Sequence, residues 1–298
     1  MPSFFDAAVW EQEWKHAGDT LVNTMKKAGI DPSRSFDSKA ASFNEQSFSA
    51  EGRKRTDRII AWLEGQGVPF HNASVLDIGA ASGVFSVPFA ERGAHVTAVE
   101  SSPPLIGLLQ ENMKKFGLDK TTIVSEPFEA VDVQARGWSQ AFDLVFVSMC
   151  PVILDWESVE KVLRCARQFC YISMPAGSRV NSLAQEIWPL LADRPFKEKE
   201  TEFGYFLHLL YLKGYSYESL VTREMKSAEL SIEEALQEAM HWLRIYGLPS
   251  DERSRKTVAD YLERTYPSGK VAVQEGGRFG KVVIRLQDPS MPERTVRS

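Results

Sequence analysis

Cysteine is scarce in this chain of 298 residues: Cys150, Cys165 and Cys170 are the only three. Odd in number and without CxxC spacing, they exclude a disulfide framework and a zinc site and point to a reducing compartment. Long apolar runs are absent too; none approaches the roughly 20 residues of a bilayer-spanning helix. The first residues, Met-Pro-Ser-Phe-Phe-Asp-Ala-Ala-Val-Trp-Glu, lack the basic region and apolar core of a secretory signal. A cytoplasmic location without membrane contact is the expectation. Positive charge is in deficit, with 35 Lys and Arg against 40 Asp and Glu and a net charge of -5. That balance disfavours a general nucleic-acid binder, which carries a basic face. The local exception, Arg53-Lys54-Arg55 with Arg58, falls on a predicted helix and reads as its solvated side. No repeat or low-complexity segment is present, and no metal site is expected.

What is present is an alternation of strand and helix patterns. Residues before about Phe36 read as helical, with Trp10 and Trp14 a turn apart and then Leu21, Met25 and Ala28. Gly29 and Asp31-Pro32 stop that helix. A second helix carries Ile59, Ile60, Trp62 and Leu63. Strands are predicted near Val75–Ile78, His95–Val99, Thr121–Val124, Phe142–Ser148 and Phe169–Ser173. Helices are predicted near Val84–Glu91, Leu105–Phe116 and Trp156–Arg167. Short strands separated by helices imply parallel β-α-β units in an open sheet. The chain then turns helical from about Leu183 to Tyr215, and Tyr217–Lys226 is a candidate sixth strand. Ser231 is placed to cap a helix through Ile245, with Glu233 and Glu234 in its first turn. A further helix follows over about Asp251–Tyr266. Lys270–Gln274 and Phe279–Leu286 flank Glu-Gly-Gly-Arg, which reads as a hairpin. The fold class expected is α/β: a Rossmann-like, doubly wound, mostly parallel seven-stranded sheet whose last strand is antiparallel. It carries N-terminal helices and a helical insertion. The division expected is an N-terminal extension or cover over 1–50, a nucleotide-binding core over 51–182, and the rest of the sheet with its insertion over 183–298.

The segment Val75-Leu-Asp-Ile-Gly-Ala-Ala-Ser-Gly-Val-Phe-Ser86 carries the chemistry. In an open parallel sheet the first β-α turn is the usual ligand cradle. A dinucleotide cradle requires G-x-G-x-x-G for close approach to a pyrophosphate. Here Gly79 and Gly83 are present, while Ala81 and Val84 stand where the other glycines belong. Asp77 places a carboxylate just before the turn, repulsive beside a pyrophosphate and attractive beside a cation. The site suits a positively charged nucleoside without phosphate.

Val-Leu-Asp-Ile-Gly-Ala-Ala-Ser-Gly, followed by Val-Thr-Ala-Val-Glu-Ser-Ser102, resembles the first two motifs of the class I S-adenosylmethionine-dependent methyltransferases. The usual D-x-G-x-G-x-G departs at Ala81, which adds one methyl to the turn. The resemblance implies that Asp77 sits under the methionine moiety, with the backbone of Gly79, Ala80, Ala81 and Gly83 lining it. It implies that Glu100 accepts the ribose hydroxyls, charge-assisted bonds worth roughly 1.5–3 kcal/mol each, with Ser101 and Ser102 at the ribose edge. Glu126, Pro127 and Phe128 match the positions set against the adenine. Phe142-Asp-Leu-Val-Phe-Val-Ser-Met-Cys-Pro151 resembles the fourth-strand motif, so Ser148, Met149 and Cys150 end near the transferable methyl. The resemblance spans about Phe43 to Ser173. Phe43, Asn44 and Phe48 stand where relatives place a cover over the cofactor.

Methyl transfer from a sulfonium is an in-line displacement whose leaving group needs no acid; a base is needed only if the acceptor must lose a proton. The fifteen residues Phe203–Tyr217 carry six aromatic rings. A helix apolar nearly all round reads first as core and second as the lining of an acceptor pocket. His208, Tyr205 and Tyr211 are the candidate bases there, and a cysteine nucleophile at Cys150 is disfavoured because buried cysteine is usually inert. Four functions compete: transfer to a small molecule, the leading reading; transfer to RNA or protein; non-catalytic cofactor binding; and a nicotinamide-dependent dehydrogenase. Ser148-Met149-Cys150-Pro151 replaces the asparagine-proline-proline-aromatic motif of amine-directed nucleic-acid enzymes. Asp77 and the missing glycines disfavour the dehydrogenase.

Overall fold

A computed structural model of the chain describes residues 4–17, 29, 34, 37–118, 121–177, 180–196 and 202–287. The helix expected before Phe36 is present as α1 (Ala7–His16), capped by Asp6, whose carboxylate accepts the N–H of Ala8. Leu21, Met25 and Ala28 lie outside the described residues. A single 3-10 turn over Asp37–Lys39 leads into α2 (Ala40–Phe48), and Ser49 caps α3 (Ala50–Gly65). Core strands and helices then alternate as β1 (Ser74–Ile78), α4 (Ser86–Glu91), β2 (His95–Val99), α5 (Pro103–Lys115), β3 (Thr122–Val124), β4 (Phe142–Ser148), α6 (Trp156–Cys165) and β5 (Ala166–Pro175).

β1 to β5 are parallel neighbours in the order β3-β2-β1-β4-β5. The chain winds outward from β1 through β2 to β3, then crosses back to place β4 on the other side of β1. That reversal is a topological switch point, and the crevice outside the carboxyl ends of β1 and β4 is where such a sheet takes its ligand. Both faces of the sheet are covered, so its central strands are apolar throughout instead of alternating. On one side Ile78, Val147, Ile172 and Ile284 join Trp156 and Phe206. On the other Val75, Phe146, Tyr171 and Val283 join Ile60, Leu63 and Phe89.

The second half of the chain departs from expectation. A two-residue strand β6 (Val180–Asn181) and α7 (Ser182–Leu191) precede the aromatic helix α8 (Phe203–Leu212). β7 (Ser216–Ser231) and β8 (Lys270–Arg285) then pair antiparallel along sixteen positions, from Ser216↔Arg285 to Ser231↔Lys270. The hairpin expected at Glu-Gly-Gly-Arg is therefore absent: those residues are interior to one continuous strand. Gly276 and Gly277 take φ of 154° and 157°, values that favour glycine, and a Cβ on Gly276 would lie 2.0 Å from the Glu224 carbonyl oxygen. The pair serves close approach of two strands, not chain reversal. The described residues form eight strands, the unexpected two-residue β6 among them, with β5, β6 and β7 all antiparallel to β8.

Because Pro175 at the end of β5 pairs with Phe279, residues 270–278 of β8 run on past the carboxyl end of the sheet. The ribbon carries α9 (Ile232–Ile245) and α10 (Glu252–Thr265) between its strands. Ser231 and Glu234 form the reciprocal capping box that starts α9 at the expected residue. Leu183 and Ile187 of α7, Leu236 and Leu243 of α9, Val258 and Leu262 of α10, and Val271 and Val273 of β8 make a separate core in this lobe. Replacing Gly276 with alanine should lower stability by about 1–3 kcal/mol, the usual cost of overpacking. A thermal melt reads it, and an unchanged midpoint would disprove the close-approach role.

Candidate functional site

β1 delivers Asp77 to the switch point between buried Leu76 and Ile78. Its carboxyl is 2% exposed and accepts a hydrogen bond of 2.5 Å from the Ser86 hydroxyl on α4. Burial is the larger cause, and the nearby Glu100 charge a smaller one, that pushes Asp77 up to about 7. The turn that follows has little room. Gly79 and Ala80 both donate to the Val99 carbonyl, at 2.9 and 3.0 Å. Gly79 has φ 74°, and a Cβ there would come within 2.4 Å of the Cys150 sulfur. Ala81 has φ 50°, so the position the family gives to glycine keeps a glycine-like backbone although it carries a methyl.

Glu100 sits one residue beyond β2 and is 8% exposed. One oxygen accepts the N–H groups of Ser101 and Ser102, each at 2.8 Å; the other accepts that of Ala81, also at 2.8 Å. A carboxylate offers about four acceptor sites, so one remains for a ligand hydroxyl. Among the described residues no lysine or arginine forms an ion pair with Asp77 or Glu100. Two adjacent carboxylates without a cationic partner make the crevice electronegative.

The other expected residues divide. Ser148 ends β4 with its hydroxyl 3.2 Å from that of Ser173. Met149 follows with φ 55° and 43% exposure, its N–H bonded to the Ser173 carbonyl. An exposed, apolar residue held in this backbone conformation at a strand end is the kind of outlier that gathers at sites. Cys150 packs on Gly79, and burial pushes its thiol up to about 12, so it holds no thiolate nucleophile. Glu126 is paired with Arg136. Phe128 is buried in the core at 4% exposure, with the Lys161 ammonium 5.1 Å above its ring, and Pro127 beside it is exposed.

The candidate bases are placed elsewhere. His208 bonds through Nε2 to the Phe4 carbonyl at 2.9 Å and meets Trp10 edge-on at 4.9 Å. Tyr205 stacks on Trp14 at 6.5 Å, and Tyr211 is 61% exposed. Helical spacing turns Tyr205 and His208 toward α1, so their contacts are with the N-terminal helix and not with the cradle. Phe203, Phe206, Leu209 and Leu210 of the same helix are core. Three residues that sequence reasoning passed over meet the cradle: Ser86 on Asp77, Asp37 on Ser102, and Asn112 on the Ser82 carbonyl. A serine in the first turn of the helix after the glycine turn was a readable signal for Ser86; the other two arise from contacts across more than 25 residues. Among the described residues no cluster of three or more His, Cys, Asp or Glu forms a metal site.

Residues 75–170 match the family model described as a methyltransferase domain. That segment falls inside the stretch whose motifs resemble the class I S-adenosylmethionine-dependent methyltransferases. Human EEF1A lysine methyltransferase 2 is 33% identical over 93 residues, 31% of this chain and 39% of that protein. The cypemycin N-terminal methyltransferase of Streptomyces is 32% identical over 106 residues, 35% of this chain and 39% of that protein. The chain thus spans about two-fifths of the length of these curated relatives. Among solved structures, YcgJ of Bacillus subtilis aligns with a TM-score of 0.48 at 12% identity, covering 76% of this chain and 97% of that one.

An alanine at positive φ costs about 1 kcal/mol relative to glycine. Ala81→Gly should therefore raise stability by about that amount in a chemical denaturation curve. A loss of stability would show that the methyl makes a contact worth more than the strain.

Proposed function

We propose that the chain is an S-adenosylmethionine-dependent methyltransferase acting on a small molecule. The observation that carries the reading is the pair Asp77 and Glu100, two carboxylates without cationic partners among the described residues, flanking the glycine turn at the ends of β1 and β2. When bound, the donor supplies an activated methyl group. Asp77 balances its positive charge from below the turn, Glu100 uses its remaining acceptor site for the ribose, and the backbone of residues 79–83 lines the methionine part. Glu126 and Pro127 border the adenine, and Ser148, Met149 and Cys150 wall the side from which an acceptor approaches. What the chain then contributes is alignment and exclusion of water. The lobe over the carboxyl ends of the sheet supports an enclosed, small acceptor. A second reading, transfer to protein or RNA, is favoured by relatives named for EEF1A lysine and for 23S rRNA uracil methylation.

Isothermal titration should show binding of S-adenosylmethionine and S-adenosylhomocysteine, lost or greatly weakened in Asp77→Ala and Glu100→Ala. Binding of NAD in place of both would overturn the reading. A tritiated-methyl screen against small-molecule, protein and RNA pools assigns the acceptor; label retained only in a macromolecular fraction selects the second reading.

Asp77 adds a pH signature. Its folded value of about 7 stands above the ordinary 3.8, so between these values the folded chain holds a proton that the unfolded chain has lost. The stabilisation from this group is full below the lower value and falls as pH rises through the window. A cationic ligand favours the carboxylate, so binding below the upper value releases a proton and tightens toward neutral pH. Titrations near pH 6 in two buffers of different ionisation enthalpy should show proton release in the wild type and none in Asp77→Asn. Equal release in both would exclude Asp77 as its source.

A further inference from the structure

Two half-buried hydrogen-bonded links join the segment before α3 to the cradle, and they end on different halves of it. In the first, the Ser102 hydroxyl donates to Oδ1 of Asp37 at 2.6 Å, while the Ser102 N–H donates to Glu100 at 2.8 Å. Ser102 is fully buried and clamped between two carboxylates. In the second, the side-chain amide of Asn112, itself 8% exposed, donates to Oδ1 of Asn44 and to the Ser82 carbonyl, both at 2.8 Å. An amide nitrogen carries two hydrogens, so both are committed and the orientation of the group is fixed. The Ser82 hydroxyl is buried without a hydrogen-bond partner, which leaves the carbonyl as the side of that residue held from outside the turn.

Both links run through α5: Ser102 precedes its first residue and Asn112 lies near its far end, roughly 15 Å along the axis at the usual rise. Beyond Asn112, Phe48 stacks on Phe116 at 6.1 Å with the Arg53 guanidinium over both rings. Residues 37–53 therefore lie alongside α5 and hold it at three levels. Packing alone would be served by apolar side chains; polar links fix direction as well as distance.

We propose that Asp37 and Asn44 are positioning residues of the cofactor cradle, Asp37 setting the Glu100 loop and Asn44 setting the glycine turn. The proposal rests on the cofactor reading given above. It assigns the ribose half of the ligand to one residue and the amino-acid half to the other. The other oxygen of Asp37 is paired with the Arg34 guanidinium at 3.5 Å, so Asp37 acts on Ser102 through its hydrogen bond and adds no unbalanced charge to the crevice.

The test is titration of two probes, S-adenosylhomocysteine and methylthioadenosine, which lacks the amino-acid end. Asp37→Ala should weaken both by about tenfold, the effect of one charge-assisted bond. Asp37→Asn, which keeps an acceptor for Ser102, should recover most of the loss. Asn44→Ala should weaken S-adenosylhomocysteine by about tenfold and leave methylthioadenosine within about twofold. Equal loss of both probes in Asn44→Ala would overturn the division, and wild-type affinity in both variants would overturn the positioning roles. Binding of neither probe by the wild type overturns the cofactor reading itself, a separate outcome. If a variant melts lower, hydrogen exchange decides: faster exchange confined to residues 79–83 and 101–102 supports the proposal, and uniform acceleration overturns it.

Discussion

The Glu100 carboxylate joins two loops that the chain makes 20 residues apart. By accepting N–H groups from Ala81, Ser101 and Ser102, it fixes the turn after β1 against the turn after β2. A buried N–H left unpaired costs about 1–3 kcal/mol, so the carboxylate stabilises both turns. The side chain is thus a structural residue of the cradle in its own right. Its charge is spread over protein donors before any ligand arrives, so the cradle is organised in advance.

Asp77 is treated the opposite way. It accepts from the hydroxyl and the backbone N–H of Ser86, and has a neighbouring carboxylate and, among the described residues, no cation. An acid so placed is costly to ionise, and the cost is offset only when positive charge occupies the crevice. One carboxylate is held by three backbone donors, and the other is pushed up by burial.

Much of the core was legible because the elements there are local. The ends of β2 and β4 and the caps at Ser231 and Asp251 fall where apolar runs and capping residues place them. The cradle was legible for the same reason, since Asp77, Gly79, Gly83 and Glu100 lie within one β-α-β unit. What escaped was long-range. Glu-Gly-Gly-Arg has turn chemistry, and only the approach of the Glu224 backbone keeps it extended. His208 has the chemistry of a base, and only the docking of Phe4 and Trp10 commits it to the N-terminal helix. Asp37 and Asn112 meet their partners across 65 and 30 residues, a distance at which local pattern carries no information.

The pairing of Ser231 with Lys270 puts the two ends of the insertion side by side at the far end of a ribbon. A segment whose entry and exit are neighbours can be lengthened, shortened or replaced without disturbing strand order, as insertions at exposed sites generally can. Its interior depends on the rest of the chain chiefly through α7 and the tip of β8. The architecture separates two parts of the chain: the glycine turn and its carboxylates are embedded in the parallel strands, and the lobe above them is a module hung on two adjacent residues. Chains sharing the cradle can diverge in this lobe with the fold beneath unchanged.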